Sequence, residues 1–282
     1  MSSLEEAILS WFAQNKRNLP WRNSTPWGVL VSEFMLQQTP VVRVLPTWNE
    51  WMQRWPMPSN LASASTAEVI TAWGRLGYPR RALRLHECAK IITNEFSGKV
   101  PASEGILKTL PGVGDYTAAA IASFAYGARA LVLDINIRRV FCRVIDGVES
   151  PKTSLSNLER ASRTELIPEK NAHIWAAATM ELGALVCTSR NPKCGECPVS
   201  SLCGWKAAGY PESNQPRKVQ GWHGTNRQCR GIIVQALREN AVLNIGEIKR
   251  LWHNESQLEK ALTTLMQDGL ISRSESSLYT LP

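Results

Sequence analysis

Apolar side chains recur every three or four residues along most of this chain, which is the spacing of an amphipathic helix. The pattern opens the sequence, where five apolar positions share one helical face: Leu4, Ala7, Ile8, Trp11 and Phe12. The same period predicts further helices around residues 30–34 and 48–52 and over 66–73, 81–96, 103–124, 134–146, 155–165 and 172–186. The alternation typical of strands is nearly absent before residue 230. We therefore expect an all-α main body.

The last quarter of the chain has a different pattern. Residues 210–224 are rich in Pro, Gly, Asn and Gln, which predicts a linker over residues 207–226. Beyond the linker, periodic segments predict three helices, and the ending GLISRSESSLYTLP predicts two short strands around a polar turn. This order is typical of a winged-helix-like α+β module at 227–282. The main body then occupies residues 1–206.

The charge balance favours a polyanionic partner. The chain has 282 residues with 32 Lys and Arg against 24 Asp and Glu, a net charge of +8, and 44% of its residues are hydrophobic. No run approaches the roughly 20 apolar residues that span a bilayer, and no secretory signal is visible. Seven cysteines, four of them clustered, suit a reducing interior. We expect a monomer that is cytoplasmic and nucleoid-associated, with no membrane partner.

A glycine-rich turn joins two predicted helices in LPGVGDYTAAAI, residues 110–121. Gly112 and Gly114 permit a tight backbone without side chains on its surface. The start of the following helix points unpaired N–H groups outward, where they hold an anion such as a phosphate. Such a hairpin grips nucleic acid without reading its sequence. The alternative is a packing turn between two core helices.

Four cysteines follow the spacing C-x6-C-x2-C-x5-C, namely Cys187, Cys194, Cys197 and Cys203. Four thiolates in so short a loop bind zinc or a cubane iron–sulfur cluster. Zinc sites usually pair two C-x2-C knuckles, and this loop has one, which favours a [4Fe-4S] cluster. The loop has little core of its own, so metal ligation would fold it.

These motifs together resemble a known family. The hairpin, followed by Asp134 in VLDINIRRV, resembles the helix-hairpin-helix DNA glycosylases, and the cysteine spacing resembles the [4Fe-4S] loop of endonuclease III and the adenine glycosylases. SEFMLQQTPV around Glu33 resembles the signature of the MutY adenine DNA glycosylases. The resemblance covers residues 4–205. It implies a two-lobed all-α fold with a cluster loop at 187–203, and removal of adenine opposite 8-oxoguanine or guanine in double-stranded DNA.

Two carboxyl groups carry the chemistry that the resemblance implies. Glycosidic cleavage passes through an oxocarbenium-like transition state, for which one acid protonates the leaving group and one anion faces the sugar. In the family the residue matching Glu33 protonates adenine and the residue matching Asp134 stabilises the sugar. The apolar neighbours of Glu33 favour its protonated form. The start of a helix should favour the ionised form of Asp134.

Tyr116 bears on whether the enzyme also cuts the strand. Endonuclease III carries a lysine where this chain has Tyr116, and a lysine amine there forms a Schiff base. A tyrosine cannot do so. We therefore expect a monofunctional glycosylase that leaves an abasic site.

Several positions match residues that hold the duplex open. Gln37 and Gln38 resemble residues that fill the gap left by a flipped base. Tyr78 in GRLGYPRRA matches a tyrosine that inserts beside the opposing guanine lesion. Pro79 replaces a second aromatic residue common in the family, as in actinobacterial-type members. Many members also end in a Nudix-like domain, for which the residues after the linker are too few.

Other positions match the surroundings of the adenine and the sugar. Trp21 and Arg22 in LPWR and Glu181 in MELGALVC match residues around the adenine pocket, and Asn136 matches an Asn near the sugar. Ile135 stands where the family more often has Gly or Thr, which leaves open a thymine or uracil glycosylase acting opposite guanine. A DNA-binding regulator with a redox-sensing cluster is a third alternative, against which the intact acids argue.

Overall fold

The computed structural model describes residues 2–213 and 221–282. The middle of the predicted linker, residues 214–220, lies outside the described residues. The helices of the main body are α1 Ser2–Asn15, α2 Pro26–Leu36, α3 Val41–Arg54, α4 Pro58–Ala62, α5 Thr66–Trp73, α6 Arg80–Glu95, α7 Glu104–Leu107, α8 Asp115–Tyr126, α9 Ile135–Val144, α10 Asn157–Thr164, α11 Ala172–Leu185 and α12 Gly204–Ala207. Short 3₁₀ turns occupy Pro20–Asn23, Gly74–Leu76, Cys194–Glu196 and Ser200–Leu202. Before residue 243 the described residues form no strand, so the predicted all-α body is confirmed.

Local signals explain where helices begin and end. α5 starts at a capping box, in which the Ser65 hydroxyl accepts from the N–H of Glu68 at 3.2 Å and the Glu68 carboxylate accepts from the N–H of Ser65 at 2.9 Å. Gly74 follows the helix with φ +53, where a side chain would be strained. α4 has five residues, too few to show a helical period, and the sequence did not predict it.

The chain divides into two compact units. The first unit contains Met1–Val29, Ala102–Thr109 and Val113–Pro216. The second unit contains Leu30–Pro101, Leu110–Gly112 and Arg217–Pro282.

In the first unit, small residues let helices pack closely. α11 packs against α1, α8 and α9. A Cβ added to Gly183 of α11 would lie 2.8 Å from the Cβ and the carbonyl oxygen of Asn136, so only glycine fits. The alanines of α8 are buried from Ala118 to Ala122. This close approach fixes the start of α9 against α11.

In the second unit, a cluster of aromatic rings joins α3 to α5. Trp51 meets Trp55 and Trp73 edge to face, with ring centroids 4.8 and 5.5 Å apart. The Trp51 indole N–H donates to the carbonyl of Ala72 at 3.0 Å, so its polar atom is satisfied. α4 and α5 both pack on α6.

The C-terminal module belongs to the second unit and shares its core. Its helices are α13 Asn226–Glu239, α14 Ile245–Lys249 and α15 Glu255–Gln267, and its strands are β1 Leu243–Asn244, β2 Ser272–Arg273 and β3 Leu278–Thr280. The antiparallel sheet has the order β1-β3-β2, with Tyr279 opposite both Leu243 and Arg273. The predicted terminal hairpin is present. The two-residue β1 was not predicted, because it is too short to alternate.

Packing and a hydrogen bond fasten this module to α5 and α6. The buried cluster of its helices includes Ile70 of α5, and Leu83 of α6 packs against it. Arg238 of α13 donates from Nε to the carbonyl of Ile70 at 3.0 Å. The module is therefore a docked part of the second unit. No helix in the described ranges is long and apolar enough to cross a membrane.

Candidate active site and nucleic-acid interface

The start of α9 holds the carboxylate of Asp134 in a fixed position. Asp134 is the N-cap of the helix, and its Oδ1 accepts from the N–H of Ile137 at 2.7 Å. Asn136 donates from Nδ2 to Oδ2 of Asp134 at 2.6 Å. Both carboxylate oxygens therefore have a donor, and their orientation is set by the helix.

The pKa of Asp134 shifts upward, opposite to the effect of the helix start alone. Burial raises the pKa of Asp134, while the hydrogen bonds from Ile137 and Asn136 and the charge of Arg139 lower it, and burial is the larger effect. The carboxylate lacks part of the stabilisation that water would give it, which makes it responsive to an approaching positive charge.

Arg139 joins this acid to the cysteine loop. Its Nη2 donates to Oδ1 of Asn136 at 2.7 Å and to the carbonyl of Gly183 at 2.6 Å, and its Nε donates to the carbonyl of Cys187 at 2.7 Å. The guanidinium is buried, and burial lowers its pKa. Asn136 thus accepts from Arg139 while it donates to Asp134. It is a positioning residue for the carboxylate.

A second buried arginine on α9 supports the same loop. Arg143 is 1% exposed, and it donates to the carbonyls of Glu149 at 2.8 Å and Thr188 at 2.7 Å. Its Nη1 lies 3.5 Å from Sγ of Cys187, and its guanidinium stacks on Trp205 at 4.5 Å. The backbone carbonyls of Cys187 and Thr188 therefore connect the cysteine loop to the arginines of α9.

The four cysteines line one cavity. Cys187, Cys194, Cys197 and Cys203 surround it together with Val140, Leu182 and Trp205. Within the described residues, no three His, Cys, Asp or Glu side chains converge as a single metal ion would require. Burial raises the pKa of Cys187, and it raises that of Cys197 to about 11. Positive charge from iron would favour the thiolate forms. A donor set of four thiols around a shared space fits a cubane cluster.

Glu181 lies beside two arginines. It is 2% exposed, and Arg17 donates to it from its backbone N–H at 2.8 Å and from Nη2 at 2.7 Å, while Arg22 Nη2 lies 3.0 Å away. Burial would raise the pKa of Glu181, but the hydrogen bonds of Arg17 and the charge of Arg22 lower it overall. The buried Trp21 precedes Arg22 in the same 3₁₀ turn. The structure therefore brings Arg22 and Glu181 together and adds Arg17 to the pair, while Trp21 is the chain neighbour of Arg22.

In the second unit, Glu33 alone is charged among the residues of α2. Its side chain is 5% exposed, and Phe34 and Met35 beside it are fully buried. Glu33 thus belongs to the second unit, while Asp134, Asn136 and Tyr116 belong to the first.

Gln38 and Tyr78 stand out by their backbone conformation. Their φ angles are +56 and +47, in the left-handed region that non-glycine residues seldom occupy. Both are accessible, with Tyr78 exposed at 44%. Strained, accessible residues of this kind concentrate at binding sites.

The buried guanidinium of Arg81 donates to the backbone on either side, before Gln38 and before Tyr78. Arg81 is 8% exposed, and its guanidinium donates to the carbonyl of Phe34 at 2.9 Å and to that of Gly77 at 3.0 Å. Its further acceptors are Met35, Gln37, Thr39 and Leu76. Burial lowers the pKa of Arg81 to about 10. The residue therefore links the end of α2, before Gln38, to the turn that presents Tyr78.

The two glycines of the hairpin play different parts. Gly112 has φ +83, and an added Cβ would lie 2.9 Å from the Phe34 ring and 3.1 Å from Arg84. Its carbonyl accepts from Nε2 of Gln37 at 3.5 Å. Gly114, the N-cap of α8, has φ -96, and an added Cβ would meet nothing within 4 Å. Gly112 is therefore required by packing, whereas Gly114 leaves the helix start open.

The two residues after Gly114 are partly or fully accessible. Asp115 pairs with Lys108 at 3.4 Å and with Arg160 at 3.3 Å, and Tyr116 is half-buried. Ile135 is 60% exposed at the start of α9 and is not a core residue.

Sequence reasoning missed Arg81 and Arg139. Their acceptors are mostly backbone carbonyls, which leave no mark in the sequence. For Arg139, the segment INIRRVFCRV could have indicated a buried role. Three arginines on a short helix with apolar neighbours must find hydrogen-bond partners inside the protein.

These features define the class: a helical base-excision DNA repair protein with a glycine hairpin, a capped aspartate and an iron–sulfur loop. The family model described as "HhH-GPD superfamily base excision DNA repair protein" matches residues 31–163, and the iron–sulfur binding domain of endonuclease III matches residues 187–203. The chain is 45% identical to an adenine DNA glycosylase of Mycolicibacterium smegmatis, over 100% of this chain and 97% of that protein. It belongs to the adenine DNA glycosylase family, which hydrolyses N-glycosidic bonds.

Further relatives agree with this family. An adenine DNA glycosylase of Homo sapiens is 42% identical over 72% of this chain and 39% of that protein. A solved thermostable thymine-DNA glycosylase superposes with a TM-score of 0.66 at 26% identity, over 73% of this chain and 96% of that one. An endonuclease III–DNA complex shares the fold, with a TM-score of 0.63 at 22% identity over 73% of this chain and 95% of that one. The cofactor of the cysteine loop is a [4Fe-4S] cluster.

Replacing Arg139 with methionine should destabilise the protein. The change leaves Asn136, Gly183 and Cys187 without their buried donor, at a cost of about 2–4 kcal/mol. Thermal unfolding of the cluster-loaded protein measures this loss. Arg129→Met is the matched control, because Arg129 also donates to a backbone carbonyl, that of Ile167 at 2.8 Å, but at the surface. Equal losses in the two variants would contradict the account.

Proposed function

We propose that this enzyme excises adenine from double-stranded DNA where the adenine faces 8-oxoguanine or guanine. The observation that carries the proposal is the half-buried, doubly hydrogen-bonded carboxylate of Asp134. The family membership supplies the reaction class, and the 45% and 46% identities to two mycobacterial adenine DNA glycosylases support adenine as the base.

Asp134 acts on the sugar in this proposal. As the glycosidic bond breaks, positive charge grows on the deoxyribose. A carboxylate that burial has deprived of water gains more from that charge in the transition state than in the ground state, which is what accelerates a reaction. Ile137 and Asn136 keep the carboxylate in one orientation, so little reorganisation is needed.

Glu33 acts on the base. In this proposal its carboxyl group, which is 5% exposed, delivers a proton to the adenine as general acid. Protonating a ring nitrogen makes a purine a better leaving group. A thymine or uracil gains less from such a proton, which favours adenine as the substrate.

The proposed contacts with the duplex are of two kinds: backbone amides that bind a phosphate, and side chains that enter the base stack. The open N-terminus of α8 at Gly114 offers backbone amides to a phosphate. Gln37, Gln38 and Tyr78 fill the space of the flipped nucleotide and stand beside the opposing base. Arg81 holds the turns of Gln38 and Tyr78, so that their side chains are already oriented when DNA arrives. Trp21, Arg22 and Glu181 form the wall of the adenine pocket.

Excision from a panel of duplexes tests the function. Under single turnover, A·8-oxoguanine and A·G duplexes should lose adenine, while T·G and U·G duplexes stay intact. Glu33→Gln should slow excision by about 10²–10⁴-fold and keep its affinity for the A·8-oxoguanine duplex, because only the proton donor is lost. Excision of thymine or uracil in preference to adenine would overturn the proposal, and lost affinity would make Glu33 structural.

The enzyme is proposed to be monofunctional, because Tyr116 stands where a Schiff-base lysine would be needed. The cut strand should appear only after alkali treatment of the excision product. Borohydride should trap no covalent enzyme–DNA adduct. A trapped adduct would contradict this assignment, whichever base is excised.

Two glycine variants distinguish phosphate binding by the hairpin from its packing inside the protein. Gly112→Ala should lower stability by about 1–3 kcal/mol, because φ +83 and the contacts with Phe34 and Arg84 oppose a Cβ. Gly114→Ala should fold normally and bind duplex DNA roughly tenfold more weakly, because the new Cβ would project into the open space at the helix start and keep a phosphate from close approach to the backbone amides. Unchanged DNA affinity in Gly114→Ala would remove the helix start of α8 from the interface.

A second candidate is removal of thymine or uracil opposite guanine. The observation that favours it is Ile135, which is 60% exposed beside Asp134, together with the likeness to a thymine-DNA glycosylase. The duplex panel decides between the two.

We also propose that the enzyme works as a monomer and that its net charge of +8 keeps it associated with chromosomal DNA. Sedimentation with and without duplex, at low and high salt, tests both statements.

A further inference from the structure

Three charged side chains meet at the start of α8. Lys108 directly follows α7, Asp115 is the first residue of α8, and Arg160 lies on α10. The Nζ of Lys108 lies 3.4 Å from Oδ1 of Asp115, and Arg160 donates from Nη2 to Oδ2 at 3.3 Å. Each oxygen of one carboxylate therefore faces its own cation. We call these three residues the Asp115 cluster.

Ion pairs within the first unit hold α10, and with it Arg160, in place. Arg138 of α9 donates to both oxygens of Glu159, from Nε at 2.7 Å and from Nη2 at 2.8 Å. Arg163 is buried and pairs with Asp146, which follows α9. Because these contacts fasten α10 to α9, the place of Arg160 beside Asp115 does not depend on the ion pair between the two.

The ion pairs of the Asp115 cluster are open to exchange. The three side chains are between 45% and 61% exposed, and ion pairs at such a surface are weak. An anion from outside can therefore compete with the carboxylate of Asp115 for both cations. A phosphate of the DNA backbone is well suited to this exchange. It also carries one negative charge on two unesterified oxygens, and both arginine and lysine bind it.

We propose that Lys108 and Arg160 form a binding site for a phosphate of the DNA backbone, and that Asp115 is an internal anion that occupies both cations in the free protein. Gly114, directly before Asp115, has open space where its Cβ would be, so a duplex can come close. The inference rests on the proposed function, since it takes duplex DNA as the partner of this hairpin.

The consequence is a limit on the strength of duplex binding. A phosphate must displace Asp115 from the two cations, so Asp115 lowers the affinity for any duplex. Phosphates carry no sequence information, so the effect is the same for damaged and undamaged DNA. A repair enzyme with a net charge of +8 must be able to leave undamaged DNA, and Asp115 favours that release.

Binding of the full chain to an undamaged, fully paired duplex tests the inference. At low salt, Asp115→Asn should bind this duplex roughly 2- to 10-fold more tightly, with a steeper loss of affinity as salt rises. Glu169→Gln is the matched control, because Glu169 is also an exposed carboxylate, 3.4 Å from Arg129, and its loss changes the net charge equally. An equal gain in the two variants, or no gain in Asp115→Asn, would overturn the proposal.

The two cations are tested in the same assay. Arg160→Gln and Lys108→Gln should each weaken binding roughly 2- to 10-fold and lower the slope of log affinity against log salt by about 0.9, the value of one phosphate contact. Arg129→Gln is the control for the loss of a surface cation and should change neither quantity. Unchanged affinity in both cluster variants would remove the phosphate site.

A double-mutant cycle tests whether Asp115 competes for these cations. Arg160→Gln should cost more affinity in the Asp115→Asn background than in the unaltered protein, because Arg160 is then no longer shared with the carboxylate. Additive effects would mean that Asp115 only repels the duplex, and they would overturn its role as an internal anion.

Excision by the unaltered protein keeps this test separate from the proposed function. If it removes adenine from the A·8-oxoguanine duplex while Asp115→Asn leaves duplex affinity unchanged, this inference alone fails. If it removes no adenine while the variants change duplex affinity as expected, the proposed reaction fails and the phosphate site stands.

Discussion

The half-buried carboxylate of Asp134 keeps one orientation at the start of α9 because the donors around it are themselves held in place. Asn136 donates to it, Arg139 orients Asn136, and Arg139 in turn is held by the carbonyls of Gly183 and Cys187. The last of these carbonyls belongs to a cluster ligand. A loop with little core of its own is ordered by ligating the [4Fe-4S] cluster. A bound cluster would therefore support the proposed sugar-stabilising carboxylate through backbone geometry, and this role would need no change of oxidation state.

The second unit holds two accessible side chains, Gln38 and Tyr78, on backbone turns of fixed conformation. Left-handed backbone costs roughly 1–2 kcal/mol at a non-glycine residue. Gln38 and Tyr78 both adopt it, and the hydrogen bonds of Arg81 to the surrounding carbonyls offset that cost. The desolvation of Arg81 is tolerated because several acceptors share its charge.

The elements that could be predicted from the sequence are those that local interactions determine. α5 was placed correctly because its apolar period lies within one short segment, and Asp134 was placed at the start of a helix because it precedes the apolar period of α9. α4 and β1 were missed because they are too short to show a period. The upward shift of the pKa of Asp134 was not predicted, because it depends on burial by distant parts of the chain. Arg81 and Arg139 were missed for the same reason, since their acceptors are carbonyls of remote loops.

In the proposed reaction, the carboxylate held by Asn136 and Arg139 faces the positive charge of the sugar. Its charge can be probed by comparing the affinity for two duplexes that carry, opposite 8-oxoguanine, a cationic pyrrolidine abasic nucleotide or its neutral tetrahydrofuran counterpart. We expect the protein to bind the cation at least about tenfold more tightly, an energy of about 1.4 kcal/mol, and Asp134→Asn to abolish this preference while leaving the affinity for the neutral duplex nearly unchanged. Equal binding of the two duplexes by the unaltered protein, or a preference that survives Asp134→Asn, would contradict this role of the carboxylate.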